Sequence, residues 1–331
     1  MKKLLALALA ATMALSLAAC GGAKEEPAAP SEPATEAPAA ETYKVGICQL
    51  APHPALDAAT QGFIDALNEA LPGQVEFDNQ NAAGESATCA TIVNGFVSAD
   101  VDLIMANATP ALQAAVAATS DIPVLGTSVT EYGVALGIDN FSGTVGTNVS
   151  GTSDLAPLDE QAAMVKEWFP EAKTVGLLYC SAEANSQYQV DTVQAELEKL
   201  GLTCTQYPFS DTNDMASVTQ SAVDNSDVVY VPTDNTCANN AGIIDNIARP
   251  AGVPIVVGEE GICSGCGVAA LSISYYDLGV TTGKMAAKIL TGEADISTMP
   301  IEYTDATPKY NPTICDALGI TPLDGYTAIE G

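Results

Sequence analysis

The chain has 331 residues, 41 of them acidic and 11 basic, giving a formal net charge of −30 with a single histidine, His53, and a single arginine, Arg249. So acidic a surface repels phosphate backbones and gains little from anionic lipid head groups, which excludes nucleic acid as a partner. One histidine excludes a histidine-rich metal site, and no cofactor is implied.

Lys2 and Lys3 precede an apolar run over residues 4–19, too short and too close to the terminus for a membrane span, so the segment reads as a secretory signal. The run ends in "LAAC" followed by Gly21 and Gly22. Small residues before a cysteine resemble the bacterial lipobox, with Cys20 as a lipidated N-terminus that would hold the protein outside the cytoplasm, on the membrane. Residues 20–42 hold alanine, proline, glutamate and serine but no large apolar side chain. Such a segment cannot bury enough surface to offset its ordering entropy and reads as an extended tether.

From Tyr43 onward the chain is too long for one core of ordinary size, so two lobes are expected. Over 43–150, strand candidates at 44–49, 74–78, 101–106 and 122–126 alternate with helical stretches. In the first of these, Leu56, Ala59, Phe63, Ala66, Leu67 and Ala70 recur at helical spacing. The alternation predicts βαβ units and a doubly wound parallel sheet. A glycine- and threonine-rich passage over 142–157 interrupts the rhythm and reads as the crossing to a second lobe, 151–274. There the strands are expected at 174–179, 203–207, 228–231, 254–257 and 268–273. The last part, 275–331, begins with an amphipathic helix that returns towards the first lobe, followed by short extended pieces near 300–303 and 312–314.

Ligands of open parallel sheets bind beyond the carboxyl ends of the strands, where helix N-termini offer unpaired N–H groups. Four strand-to-helix segments place polar groups at that edge: His53; Thr109; Asn185 with Ser186; and Asp234, Asn235 and Thr236 in "VVYVPTDNT". Ordinary helix capping and an Asx-turn at Asp234 remain open for the same residues.

Enzyme signatures are missing. No Gly-rich phosphate loop precedes a lysine, and no local motif arranges a nucleophile, histidine and acid. Besides Cys20 there are cysteines at 48, 89, 180, 204, 237, 263, 266 and 315, whose pairing the sequence leaves open. Cys263 and Cys266 in "CSGCG" have CxxC spacing without the flanking residues of a thiol oxidoreductase.

The segments "HPALDAATQGFIDAL", "TNVSGTSDL", "EANSQYQV", "YVPTDNT" and "SISYYDLGVTTGKMAAKIL" resemble, in that order, a family of bacterial ABC-transporter substrate-binding proteins. Its fold is the type I periplasmic-binding-protein fold, and its better understood members are receptors for tryptophan, tyrosine or phenylalanine. The resemblance implies a non-enzymatic monomer whose two lobes close on a small solute and pass it to a membrane permease driven by an ATPase. Carried over by position, the implied contacts are His53, Thr109, Ser128, Thr130, Asn185 and Ser186. Asp234 and Asn235 follow, with Glu260 and Tyr276 as further lining. No lysine, nor Arg249, lies in a clear strand-to-helix loop, so a carboxylate would rest on helix N-termini and hydroxyls. A zwitterion or neutral solute fits best, with Asp234 facing its ammonium. The other readings are an extracytoplasmic ligand-sensing module and an exported thiol-redox protein using Cys263 and Cys266.

Overall fold

Two sheets, each sandwiched between helices, carry the described part of the chain. The computed structural model describes residues 42–329; the expected signal segment, Cys20 and the tether up to residue 41 lie outside them. In chain order the first elements are β1 (Tyr43–Gln49), α1 (Pro54–Ala70), β2 (Val75–Asn81), α2 (Ser86–Ser98), β3 (Leu103–Asn107), α3 (Thr109–Ala118), β4 (Val124–Val129), α4 (Tyr132–Leu136) and β5 (Val149–Ser153). Then come α5 (Leu158–Trp168), β6 (Thr174–Cys180), α6 (Ala184–Lys199), β7 (Thr203–Phe209), α7 (Thr212–Asp224), β8 (Val228–Val231), α8 (Asn235–Asn239), α9 (Ala241–Ala251), β9 (Ile255–Val257), α10 (Glu260–Cys266) and β10 (Ala269–Ile273). The chain closes with α11 (Tyr275–Leu290), a 3-10 turn, β11 (Glu302–Tyr303), β12 (Ala306–Tyr310), α12 (Pro312–Leu318) and β13 (Thr327–Ala328).

The first sheet has the order β11-β5-β4-β3-β1-β2 and is parallel throughout. The second runs β13-β12-β10-β9-β8-β6-β7, parallel except where β12 meets β10. Helices cover both faces, so β3, β4, β5, β8 and β10 are buried along their whole length. This is why these strands read as unbroken runs rather than alternating ones. The chain crosses between sheets after β5, after β10 and again between β11 and β12.

The returning helix α11 packs along α1 at backbone distance. A Cβ on Gly279 would collide with the carbonyl oxygen of Ala59, and one on Gly62 with that of Tyr276. Glycine at both positions lets the helices approach closely enough for Ala55, Ala59, Tyr275 and Leu278 to form a small core with Ile273 at the end of β10. The start of α11 is thereby fixed against both lobes.

Two sequence expectations need correction. The passage over 142–157 is not merely a crossing: it contains β5, whose Val149, Ser150 and Gly151 pair with β4. Its small polar residues are buried beneath α11, where the Thr152 and Thr282 hydroxyls bond at 2.9 Å. The segment at 312–314 is helical, not extended. Asn311 caps it by accepting from the N–H groups of Thr313 and Ile314, Pro312 opens it, and Gly319 ends it in the left-handed region.

Candidate ligand site between the lobes

The carboxyl ends of the two sheets face each other across a tight cavity of about 10 Å³, room for little more than a water. From the first lobe it is lined by His53 and Leu56, at the loop into α1 and its first turn, by Ser128 and Thr130 at the end of β4, and by Asp154 just past β5. The β4–β5 register slips between Gly126 and Val129, and Ser128 takes a φ of 54° within that irregularity. A bulge of this kind re-aims side chains at the end of a strand, and a non-glycine residue in the left-handed region is strain characteristic of binding sites. The second lobe contributes Asn185, Thr233, Asp234, Asn235, Ala238 and Glu259, and Tyr275 reaches in from the start of α11.

On the second-lobe side the buried acids are fully occupied by the protein itself. Asp234 caps α8: Oδ1 accepts from the Cys237 N–H at 2.8 Å and Oδ2 from the Cys180 N–H at 2.7 Å. Glu259 caps α10 by accepting from the N–H groups of Gly261 and Ile262. Glu183 leaves its own helix uncapped and instead accepts from the backbone and side chains of both Asn235 and Thr236. Burial, reinforced by Glu183, pushes Asp234 up to about 7, and burial pushes Glu259 up to about 7 as well.

The first-lobe side is different. Asp154 is buried, and its Oδ2 accepts from the Tyr275 hydroxyl at 2.9 Å while its Oδ1 has no protein partner. Burial raises its carboxyl above the usual range, with the Thr130 and Tyr275 hydroxyls offsetting part of the effect. Ser128 Oγ and His53 Nδ1 are likewise buried and without a partner, as is Asn185 Oδ1 from the opposite lobe. Native interiors leave few buried polar atoms unpaired, so four of them lining one cavity mark a place where a polar molecule sits. His53 Nε2 spans the cleft to Asn235 Oδ1 at 3.4 Å. Burial lowers its pKa, so the ring stays neutral to lower pH than a free imidazole.

A family model described as ABC transporter substrate binding protein matches residues 44–325. The chain belongs to this family. The fold is that of type I periplasmic binding proteins. The chain is similar to the tyrosine-binding protein of Clostridioides difficile, at 34% identity over 92% of this chain and 89% of that one. Among solved structures it resembles an ABC domain in complex with L-Trp from Streptococcus pneumoniae, at 32% identity and TM-score 0.83, covering 87% of this chain and 100% of that one. It also resembles the ligand-free, open structure of the substrate-binding protein CD0873 from Clostridium difficile, at 37% identity and TM-score 0.68, covering 87% and 99%. The superposition is better on the ligand-bound relative than on the open one, in keeping with the contact His53 makes across the cleft.

A substrate-binding protein of this family is a transport component rather than an enzyme, and the described cysteines suit that. All eight are free. Cys263 and Cys266 donate to the carbonyls of Gly267 and Ile262 within the core, and burial raises both thiols, which opposes the thiolate that redox chemistry needs. Cys180 and Cys237 frame the site through their backbone N–H groups; burial pushes the Cys180 thiol up to about 11.

Of the residues singled out in the sequence, His53, Ser128, Thr130, Asn185, Asp234 and Asn235 line the cavity. Thr109 is buried at the start of α3, and Ser186 is buried behind Asn185, accepting from its Nδ2 at 3.3 Å; neither lines the cavity. Glu260 and Tyr276 border an adjoining recess of about 350 Å³, where Glu260 lies 3.7 Å from Lys309. Tyr276 is 43% exposed and donates to Asp65. Their chain neighbours Glu259 and Tyr275 line both spaces. Asp154, Thr233, Glu259 and Tyr275 went unrecognised in the sequence. For Asp154 the signal existed: it is the acid that ends "NVSGTSD", once that stretch is read as a strand.

Proposed function

We propose that this substrate-binding protein captures an amino acid, aromatic by preference, and hands it to an ABC permease from a lipid anchor at Cys20. The observation that carries this reading is the set of buried, partnerless polar atoms in a cavity walled by Leu56, Ala238 and Tyr275. Convergent polar atoms beside a few apolar side chains are what fix the orientation of a small molecule in its site. Asp154 Oδ1 and Asn185 Oδ1 both accept, which suits an ammonium group; the partnerless Ser128 hydroxyl can donate to a carboxylate. The related tyrosine-binding protein and the L-Trp complex support an aromatic side chain. The "LAAC" segment supports the anchor. Such a protein acts as a monomer in delivery.

A thermal-shift panel of aromatic amino acids, other amino acids, sugars and nucleosides tests the ligand class. Ligand at about 100 times its dissociation constant stabilises the fold by about 2.7 kcal/mol. Shifts with aromatic amino acids are the expected result; shifts with sugars or nucleosides alone would refute the reading. Mass spectrometry of any small molecule released on denaturation checks it independently. For the anchor, Cys20→Ala should move the protein from the membrane to the soluble fraction, since stable attachment rests on acyl chains at that residue.

A further inference from the structure

Glu183 lines no part of the inner cavity, yet its hydrogen bonds reach the lining residues Asn235 and Asn185. Its Oε2 accepts from the Asn235 backbone N–H at 3.1 Å and from Asn235 Nδ2 at 2.7 Å, while Oε1 accepts from the Thr236 N–H and hydroxyl at 2.9 and 2.8 Å. Only the NH₂ end of an amide can face that carboxylate, so the orientation of Asn235 follows from the network. Asn235 Oδ1 therefore points across the cleft at His53 Nε2, 3.4 Å away. A carbonyl oxygen cannot donate. His53 Nε2 must carry the proton, and Nδ1, buried and without a protein partner, is left as a bare lone pair on the cavity wall.

We propose that Glu183 is a positioning residue that, through Asn235, sets the tautomer of His53 across the cleft and so makes the cavity select ligands that donate hydrogen bonds. The selection follows from counting directions. Asn185 Nδ2 faces Glu183 Oε2, Ser186 Oγ and the carbonyl of Thr233, so its Oδ1 is committed as an acceptor. With Asp154 Oδ1 and His53 Nδ1, three of the four partnerless atoms lining the cavity accept, and only Ser128 Oγ can do either. A primary ammonium brings three N–H donors. A deaminated analogue of the same size leaves buried acceptors unpaired, the situation that gives polar sites their strongest discrimination. The burial that keeps the His53 ring neutral preserves the lone pair into mildly acidic solution. This inference rests on the cavity being the ligand site, but the state of His53 can be read without any ligand.

The chain holds one histidine, so a protein labelled with ¹⁵N in histidine gives a single pair of ring resonances. The wild type should show the proton on Nε2 and an unprotonated Nδ1; a proton on Nδ1, or fast averaging between the two forms, would overturn the proposal. In Glu183→Gln one end of the new amide is a donor and cannot accept from the loop, so the Nε2-protonated form should lose its exclusivity. The same variant should bind L-tyrosine at least tenfold more weakly. If it keeps both the tautomer and the affinity, Glu183 has no such role. A merely structural glutamate would lower the melting temperature without moving the tautomer. Should the variant not fold, the wild-type spectrum decides alone. If wild type ignores L-tyrosine, the ligand class proposed above falls while the spectrum still tests the relay. For the selectivity itself, 3-(4-hydroxyphenyl)propionate, which lacks the amine, should bind wild type at least a hundredfold more weakly than L-tyrosine; equal binding would refute it.

Discussion

The two banks of the cavity are built on opposite principles. On the second-lobe side, Asp234, Glu183 and Glu259 turn their oxygens inward to the N–H groups of α8, α10 and the end of β6. On the first-lobe side, Ser128 sits in strained backbone at the end of β4, and Asp154 keeps one oxygen free. The second-lobe bank makes a rigid frame out of its acids, while the first-lobe bank keeps unsatisfied groups ready for something else to pair with. Both banks hold buried acids, so burial alone does not separate a framing carboxylate from a binding one. What separates them is whether each oxygen already has a partner.

The sharpest break of this contrast is Asp154→Asn. The asparagine carbonyl still accepts from the Tyr275 hydroxyl, so the fold should hold, while the charge facing the ligand is gone. Truncating one partner of a desolvated ion pair costs on the order of 2–5 kcal/mol of affinity. Calorimetry with L-tyrosine should register that loss, and an unchanged affinity would move the ammonium elsewhere.

The framing acids predict a pH dependence of the ligand-free protein. Asp234 and Glu259 are both raised to about 7, from unfolded values of about 4. A raised carboxyl contributes stability that is present in full below its unfolded pKa and is lost as pH rises through the folded one. Denaturant unfolding should therefore give a stability that declines between about pH 4 and pH 7, and levels off above, by on the order of 4 kcal/mol per group at most. His53 works the other way. Its lowered pKa removes stability as pH falls below about 6.5. The decline should be shallower in Glu259→Gln; a slope identical to wild type would show that Glu259 does not titrate in this window.

For Asp234 the contrast gives a third, smaller effect. The sequence offered two roles, an ammonium partner or a cap, and the geometry satisfies the cap twice over. Asparagine keeps one acceptor and leaves either the Cys180 or the Cys237 N–H unpaired. Asp234→Asn should thus lose about 1–3 kcal/mol of stability and change ligand affinity less than Asp154→Asn does. The reverse ranking in calorimetry would restore Asp234 as the ammonium partner.

How far the sequence could lead is visible at these same residues. Apolar runs at helical or strand spacing located both lobes, because layered parallel sheets bury their strands on both faces. Strand ends rich in small polar groups located the cleft. Partner assignment was not legible, since Asp234 and Asp154 differ only in what their oxygens meet across 50 residues or more of chain: Cys180 for one, Tyr275 for the other. The strand β5 escaped notice because its serine and threonine are buried by hydrogen bonds to α11 and its flanks rather than by apolar contact. No periodicity reports that.

The smallest expected effect separates two tyrosines that the sequence presents side by side. Both open α11, one residue apart, which on a helix turns their side chains about 100° from each other. The Tyr275 ring lies in the core between α1 and β10, and its hydroxyl donates to Asp154 Oδ2. The Tyr276 hydroxyl instead meets Asp65 on α1 at the exposed surface, where water replaces a lost hydrogen bond almost without cost. Tyr276→Phe should leave both the affinity for L-tyrosine and the melting temperature unchanged within error. Tyr275→Phe removes the 2.9 Å hydrogen bond to Asp154 Oδ2 and should change affinity and its pH profile together. If Tyr276→Phe weakens binding as much as Tyr275→Phe, the recess bordered by Glu260 and Lys309 belongs to the ligand site, and the inner cavity alone does not define it.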